Sequence, residues 1–169
     1  MTTDLYSFVG LYRRILDAAD HLLTKGLEYA AATGASEPAM LDWRLIDDMA
    51  PLAFQLAVVC NFPRSWPARV AGLPVPEEMT LEPSVAQIRQ GLADAKAYLA
   101  ALTPAQFAGR DEVSLTVEIG PGMEPTLPAG QWLSVFATTN LYFHLSIAYA
   151  ILRAKGVQIG KPDLFAGGL

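Results

Sequence analysis

NLYFHLSIAYAIL, residues 140–152, carries no formal charge, and its only histidine is His144. The charge-free run extends from Trp132 to Leu152, which is about the length of a segment that spans a bilayer. Serine, threonine, asparagine and histidine side chains within the run would be costly to place against lipid. A helical bundle buries such a segment instead, so we expect a bundle helix and no membrane span.

Two segments earlier in the chain show clear helical periodicity. In residues 4–32, apolar side chains recur every three or four positions, and Thr3 or Asp4 is expected to cap the N-terminus of the helix. In residues 85–102 the same spacing leaves charged and amide side chains on the opposite face. A seam of this kind is typical of helices that pack antiparallel in a bundle.

The other two predicted helices are almost uniformly apolar. One begins near Pro51 and reads PLAFQLAVVCNF, after which Pro63 and Pro67 predict a kink and a continuation of the helix. The other contains the quoted stretch and extends over residues 130–155. Helices that are apolar all round are buried on most sides. A lone four-helix bundle seldom hides two of them fully, so we expect a homodimer.

A short β-hairpin is predicted before the last helix. EVSLTVEIG, residues 112–120, alternates between apolar and polar side chains, which is the pattern of a half-buried strand. A Gly-Pro-Gly turn follows, and the return strand is weakened by Pro125. The predicted fold class is therefore mainly all-α. It is an antiparallel up-down four-helix bundle with a small β-hairpin, forming a single domain over residues 1–169.

Composition narrows the classes of partner and the compartment. The chain has 52% apolar and 17% charged residues, a formal net charge of −5 and no run of lysine or arginine, so we expect no nucleic-acid partner. The single cysteine, Cys60, excludes an intrachain disulfide and is typical of a reducing compartment. The first residues place the basic pair after the apolar side chains, the reverse of a secretory signal. We therefore expect a cytoplasmic protein.

Three polar side chains on apolar helix faces are the main candidates for a functional site. The neighbours of His144 at three, four and seven positions are apolar apart from Asn140, and Gln55 lies on an apolar face of the second long helix. A buried imidazole needs partners for its ring nitrogens. These groups either bind a ligand or satisfy one another. In the first case His144 is the candidate general base, and Gln55 and Asn140 orient the ligand.

Other polar residues complete the list of candidates. Asp48 precedes the second long helix, where a carboxylate either caps the helix or lies at the mouth of a pocket. Tyr142 and Tyr149 flank His144 along the chain, and their hydroxyl groups are candidate ligand contacts. His21 shares a helix face with charged residues, so we expect it to be solvated and paired with Asp17.

Several strings in this chain resemble a known bacterial family. RLIDDMAPLAFQL, PAQFAGRDEVSLTVEIG and NLYFHLSIAYAILRAKGVQIGKPDLF resemble a family of unknown function, number nineteen ninety-three in the domain-of-unknown-function series. That family is similar to the DinB/YfiT-like four-helix bundles. The resemblance covers nearly the whole chain and implies the same bundle with a hairpin.

The wider superfamily also implies a metal mechanism that this sequence does not match well. Many DinB-like proteins hold a divalent metal with three histidines, one from the second helix and two from the fourth as HxxxH, and some act as transferases or hydrolases. Here the positions four before and four after His144 are Asn140 and Ala148, and the second helix offers Gln55. Amide side chains are poor ligands for zinc or nickel. We therefore predict no metal ligands and no cofactor.

Three hypotheses for function follow, and the sequence leaves them open. In the first, the chain binds a small molecule at the polar cluster of Gln55, Asn140 and His144, either as a binding protein or as an enzyme without the metal. In the second, the cluster is structural and the function lies in self-association or partner binding. In the third, the chain is a metal-dependent transferase or hydrolase, as its superfamily implies.

Overall fold

Four long helices, one short helix and a two-stranded hairpin make up the computed structural model, which describes residues 4–168. The helices are α1 (Ser7–Thr33), α2 (Glu37–Leu41), α3 (Leu52–Ala71), α4 (Val85–Ala101) and α5 (Ala129–Ala154). The strands are β1 (Ser114–Thr116) and β2 (Thr126–Pro128), and 3-10 turns span Pro104–Gln106 and Lys161–Phe165. The predicted helical fold with a hairpin before its last helix is confirmed.

The four long helices share one apolar core. α1 and α3 each pack against the other three, and the side chains between them are buried. Two glycines set how closely the helices approach. A Cβ on Gly26 of α1 would lie 2.9 Å from Leu152 Cδ2 of α5, and one on Gly91 of α4 would lie 3.3 Å from Cys60 Cβ of α3. At either position a Cβ would first meet the end of a flexible side chain, Leu152 at Gly26 and Met79 at Gly91, so these side chains would have to move.

The start of α1 differs from the sequence prediction. The helix begins at Ser7, and Tyr6 occupies the N-cap position without a capping side chain. Asp4 instead closes a preceding turn, where its carboxylate accepts from the Tyr6 amide at 3.1 Å and its carbonyl accepts from the Ser7 amide at 3.2 Å. The alternative cap, Thr3, lies outside the described residues.

Helix α3 is continuous although it contains two prolines. Both Pro63 and Pro67 lie inside Leu52–Ala71, which confirms that the helix continues beyond them. Near its middle the buried Asn61 accepts from the Met79 amide at 2.9 Å and donates to the Met79 carbonyl at 3.1 Å. A single amide side chain thereby fixes the proline-rich connector that follows α3, and both of its polar atoms have a partner.

Helix α5 contains a π-helical segment that the sequence did not indicate. The segment spans Trp132–Ala137, between short helical residues and the main part Thr138–Ala154. Inside it the Leu133 carbonyl accepts from the hydroxyl groups of Tyr12 at 3.0 Å and Thr138 at 2.8 Å. The Thr138 amide also donates to this carbonyl, so two side-chain hydroxyls join the π-type backbone bond.

The hairpin is shorter than predicted. The strand expected over residues 112–120 is regular only at Ser114–Thr116, where it pairs antiparallel with Thr126–Pro128. Prolines at 125 and 128 have no amide hydrogen to donate, which limits the ladder. The hairpin is nevertheless held to α5, because the Trp132 indole nitrogen donates to the Leu115 carbonyl at 2.8 Å.

By length and composition, α5 would be able to cross a membrane. Its most apolar window is 33% buried inside the bundle. Core helices of soluble proteins pass the same test, so the helix alone does not indicate a membrane span. Val135, Thr139, Tyr142, Phe143 and Ser146 are exposed along one side of the helix, and most of its other residues are buried or half-buried.

Candidate functional site: the His144–Gln55 pair

The centre of the candidate site is a hydrogen bond between α3 and α5. His144 Nδ1 lies 2.8 Å from Gln55 Oε1, and the Gln55 amide nitrogen donates to the Ala50 carbonyl at 3.0 Å. Gln55 is buried, whereas His144 is half-buried at the outer seam between the two helices. The structure therefore brings together two of the residues that the sequence singled out.

The chain of bonds fixes which ring nitrogen carries the proton. A backbone carbonyl only accepts, so the Gln55 NH₂ group must point to Ala50 and its carbonyl oxygen to His144. His144 then donates through Nδ1–H, and its Nε2 is the nitrogen with the free lone pair in the neutral ring. No described residue is hydrogen-bonded to Nε2, and that atom is not among the buried polar atoms without a partner, so it is not fully buried.

The surroundings of the ring are aromatic and uncharged. The Phe54 ring centroid lies 5.9 Å from that of His144, and the Phe143 ring packs edge-on at 5.2 Å. Burial lowers the pKa of His144 below its ordinary 6.5. The imidazole is therefore neutral at pH 7 and is able to accept a hydrogen bond or a proton at Nε2.

Asn140 and Asp48 do not join the pair. The Asn140 amide nitrogen donates to the Phe136 carbonyl at 2.8 Å, one turn back in its own helix, although its side-chain oxygen has no described partner. Asp48 lies exposed in the loop before α3. It does not cap that helix, because Pro51 occupies the N-cap position without a side-chain hydrogen bond.

The two tyrosines point away from His144. Residues two apart on a helix lie on different faces, and Tyr142 lines a groove of about 350 Å³ between α1, α5 and the C-terminal tail, together with Arg14 and Leu164. Tyr149 is half-buried and packs against the core on another face of α5. Neither residue contributes a described hydrogen bond to the pair, and their roles as ligand contacts remain predictions.

The second histidine has a different partner from the one expected. His21 Nε2 lies 2.6 Å from Asp163 Oδ1 in the tail, while Asp17 pairs with Lys96 of α4 at 2.7 Å. The other Asp163 oxygen accepts from the Gly160 amide at 2.6 Å, and this bond, together with His21, lowers the pKa of Asp163. His21 therefore fastens the tail to α1 instead of pairing within its helix.

The residues around His144 do not suit the superfamily's divalent metal. Among residues 4–168 no three His, Cys, Asp or Glu side chains are grouped so that they could hold a metal ion. The pair supplies one free imidazole nitrogen, and the oxygen of Gln55 is already an acceptor for Nδ1–H. A transition-metal site normally requires three or four imidazole, thiolate or carboxylate ligands.

Two aromatic residues of the site were missed in the sequence. Phe54 and Phe143 flank the imidazole, yet each belongs to an apolar run in which nothing marks it out. The spacing gave a partial signal, since Phe54 and Phe143 are the chain neighbours of Gln55 and His144. A helix places adjacent residues about 100° apart, close enough for large rings to border the polar groups.

Similarity to known proteins agrees with this description. The fold matches the crystal structure of a DinB family member protein from Shewanella denitrificans, with a TM-score of 0.85 and 27% sequence identity over 95% of this chain and 90% of that chain. No curated protein sequence matches the chain significantly. Residues 5–165 match the family described as a domain of unknown function, DUF1993. The chain therefore belongs to the DUF1993 family, and its fold is DinB-like.

Proposed function

We propose that this chain binds a small neutral molecule at the His144–Gln55 pair, with Nε2 of His144 accepting a hydrogen bond from an O–H or N–H group of the ligand. The observation that carries the proposal is the relay from the Ala50 carbonyl through Gln55 to Nδ1. It holds the ring in one tautomer and leaves the Nε2 lone pair free. Such fixed orientation of an acceptor is what selective binding of a donor requires.

The surroundings of the pair select the class of ligand. Phe54 and Phe143 offer apolar ring surface on either side of the imidazole. The first twelve residues of α3 and all of α5 before Arg153 carry no formal charge, so nothing there would hold a charged ligand. A planar, mostly apolar molecule with one hydroxyl, such as a phenol, suits both features. For such a ligand, His144 is also positioned as a general base at its hydroxyl proton.

Nitrogen-detected NMR of the histidine side chains tests this proposal with two matched probes. Phenol carries the hydroxyl donor, and anisole replaces it with a methyl ether. We expect free His144 to show the Nδ1–H tautomer and its Nε2 resonance to shift with phenol but not with anisole. The resonances of His21 provide an internal control. The proposal fails if Nε2 carries the proton, or if phenol and anisole perturb it equally.

A structural role for the pair is the second candidate, and one observation favours it. The Gln55 amide and His144 Nδ1 already satisfy one another, as a cluster that only stabilises the bundle would do. This role predicts that His144→Leu lowers stability while phenol leaves the wild-type Nε2 resonance unchanged. The NMR titration therefore separates the two candidates.

The metal-dependent transferase or hydrolase expected from the superfamily has its own test. Metal analysis of the protein purified without added metal, compared with His144→Ala, measures whether this residue holds an ion. Stoichiometric metal lost on that substitution would replace our proposal with a metal site.

The cytoplasmic location and the lack of a nucleic-acid partner stay predictions from composition.

A further inference from the structure

A groove of about 350 Å³ lies between α1, α5 and the tail that follows α5. It is separate from the His144–Gln55 pair, which joins α5 to α3. All three elements supply apolar walls, with Leu11 from α1, Leu145 from α5 and Leu164 from the tail. Small-molecule sites in proteins have volumes of this order and are mostly apolar with a few polar groups. The groove therefore has the size and the walls of a ligand site.

Arg14 is the only charged residue among those that line the groove. Its side chain is exposed and forms no ion pair with any residue that the structure describes. The carboxylate of Asp17, one turn along α1, is already paired with Lys96 at 2.7 Å. Asp163 of the tail is likewise paired with His21. The positive charge at the groove therefore favours an anionic group on the ligand.

Two hydroxyl groups add hydrogen-bond donors to the groove. Tyr142 and Ser146 both line it and lie one turn apart on the same face of α5. Neither hydroxyl oxygen is among the buried polar atoms without a partner, so both are accessible from the groove or from solvent. Together with Arg14 they supply N–H and O–H donors beside the apolar walls, which suits a ligand group that only accepts hydrogen bonds.

From these features we propose that the groove binds a monocarboxylate with an apolar chain, such as a medium-chain fatty acid. The carboxylate pairs with the Arg14 guanidinium, and the chain packs against Leu145 and Leu164. One cation balances one carboxylate, whereas a phosphate monoester brings additional negative charge for which the groove has no further cation. The apolar walls favour a chain over a ligand that is polar throughout.

The tail forms a wall of the groove because it is held close to α1. A Cβ on Gly167 would lie 2.6 Å from the carbonyl oxygen of Arg14, so glycine is required for this close approach. The pair between His21 and Asp163 holds the tail at a second point. Leu164 lies between these two points in the chain, and its place in the groove depends on both. A change that lifts the tail should therefore open the groove and leave the Arg14 side chain intact.

Isothermal titration calorimetry with three probes tests the proposal. Octanoate carries the charge and the chain, octanol has the chain alone, and acetate has the charge alone. We expect acetate to bind at least about tenfold more weakly than octanoate, because it lacks the methylene groups that the walls bury. Arg14→Gln should weaken octanoate binding by about tenfold or more and leave octanol binding unchanged. Arg13→Gln is the matched control, because Arg13 is exposed on the same helix but does not line the groove.

A second pair of variants tests the wall. Gly167→Ala brings a Cβ against the backbone of α1, so the tail has to move, and we expect both octanoate and octanol to bind at least about tenfold more weakly. Gly160→Ala is its control, because the backbone there is extended and the added Cβ would meet only Pro162 Cδ, at an ordinary 3.6 Å. This variant should bind both probes as the wild type does. Circular dichroism confirms that the helices of each variant are folded.

Three results would overturn the proposal: no binding of octanoate to the wild type, equal weakening by Arg13→Gln and Arg14→Gln, or normal binding by Gly167→Ala. Sedimentation velocity separates the ligand from the homodimer expected from the sequence. A wild-type dimer that Arg14→Gln dissociates, without octanoate binding, would make a second copy the occupant of the groove. Octanoate should bind His144→Leu as it binds the wild type, and loss of binding there would place octanoate at the His144–Gln55 pair and refute the groove.

Discussion

On one side of the bundle, α1 and α4 carry nine charged residues, whereas on the other side α3 and α5 carry three, all arginines in the second half of their helices. The charged side carries partly exposed ion pairs between the two helices. Arg89 and Lys96 of α4 pair with Asp17 and Asp20 of α1. The uncharged side holds stacked aromatic rings, the His144–Gln55 pair and the exposed side chains of Val135 and Phe143.

The comparison separates what stabilises the bundle from what is available for binding. Ion pairs between half-exposed side chains contribute little to stability, because water competes for both partners. They do make a well-hydrated surface that is poorly suited to association. The uncharged side contains well-packed rings that stabilise the fold and, at its outer edge, exposed rings that do not need to be there for folding. The proposed binding site therefore lies on the uncharged side.

The largest effect should come from removing an aromatic ring on the uncharged side. Trp132 is fully buried, stacks on Trp66 at 5.1 Å and donates to the Leu115 carbonyl. We expect Trp132→Ala to lower the free energy of unfolding by about 3–5 kcal/mol through lost burial, a cavity and an unpaired carbonyl. Urea denaturation measures it. If Trp132→Ala lowered the free energy of unfolding by less than the removal of a surface ion pair does, the proposed difference between the two sides would be wrong.

A smaller effect is expected from breaking the polar pair. In Gln55→Leu, the Nδ1–H of His144 and the Ala50 carbonyl lose their partner, which should cost about 1–3 kcal/mol. Adding His144→Leu removes the orphaned imidazole, so the double variant should regain part of that loss. The coupling between the two substitutions is read from a double-mutant cycle. Simple additivity would show that the two side chains do not interact.

How much of the structure could be predicted from the sequence depends on how far apart the interacting residues lie along the chain. The apolar spacing predicted the bounds of α3, α4 and α5 closely, because a buried helix face requires apolar residues at regular intervals within the helix itself. The same spacing placed Gln55 and His144 on apolar faces, but a one-dimensional pattern does not state which inward-facing groups meet. The Asn140 bond to Phe136 is local, and the tendency of short polar side chains to bond back along a helix accounts for it.

Other features depended on partners far along the chain. The helical spacing predicts that His21 pairs with Asp17, yet in the folded bundle Asp17 pairs with Lys96 and His21 pairs with Asp163 of the tail. The π-helical segment of α5 likewise accepts a hydrogen bond from the hydroxyl of Tyr12, more than a hundred residues away. Choices of this kind are made by tertiary packing, which a periodic pattern does not encode.

Below pH 6.5 the protein should become less stable because of His144 on the uncharged side. Burial lowers its pKa from 6.5, so between 6.5 and the lower folded value the unfolded chain binds the proton and the folded chain does not. The stability that the neutral ring contributes is thus complete above 6.5 and is lost as the pH falls through the folded pKa. Asp163, whose pKa lies below its ordinary 3.8, adds pH dependence only in more acidic solution.

Urea midpoints measured above and below pH 6.5 test this point, with His144→Leu as the reference. The difference between the wild type and His144→Leu isolates the ring from every other titrating group. We expect the stability of the wild type relative to His144→Leu to decrease as the pH falls. A shift in the opposite direction would mean that the folded chain favours the imidazolium, and burial would then not be what governs the pKa of the ring.

The smallest effect should come from the charged side. Lys96 lies 2.7 Å from Asp17 and 3.5 Å from Asp20, with a third of its side chain exposed. Lys96→Met keeps the apolar stem and removes the charge, so we expect a loss of at most about 1 kcal/mol, because solvent screens the pair and the stem still packs. The loss should shrink further in concentrated salt. Urea denaturation at low and high salt measures both. A salt-independent loss as large as that of Gln55→Leu would mean that the charged side stabilises the bundle as strongly as the neutral pair does, and the division of roles between the two sides would not hold.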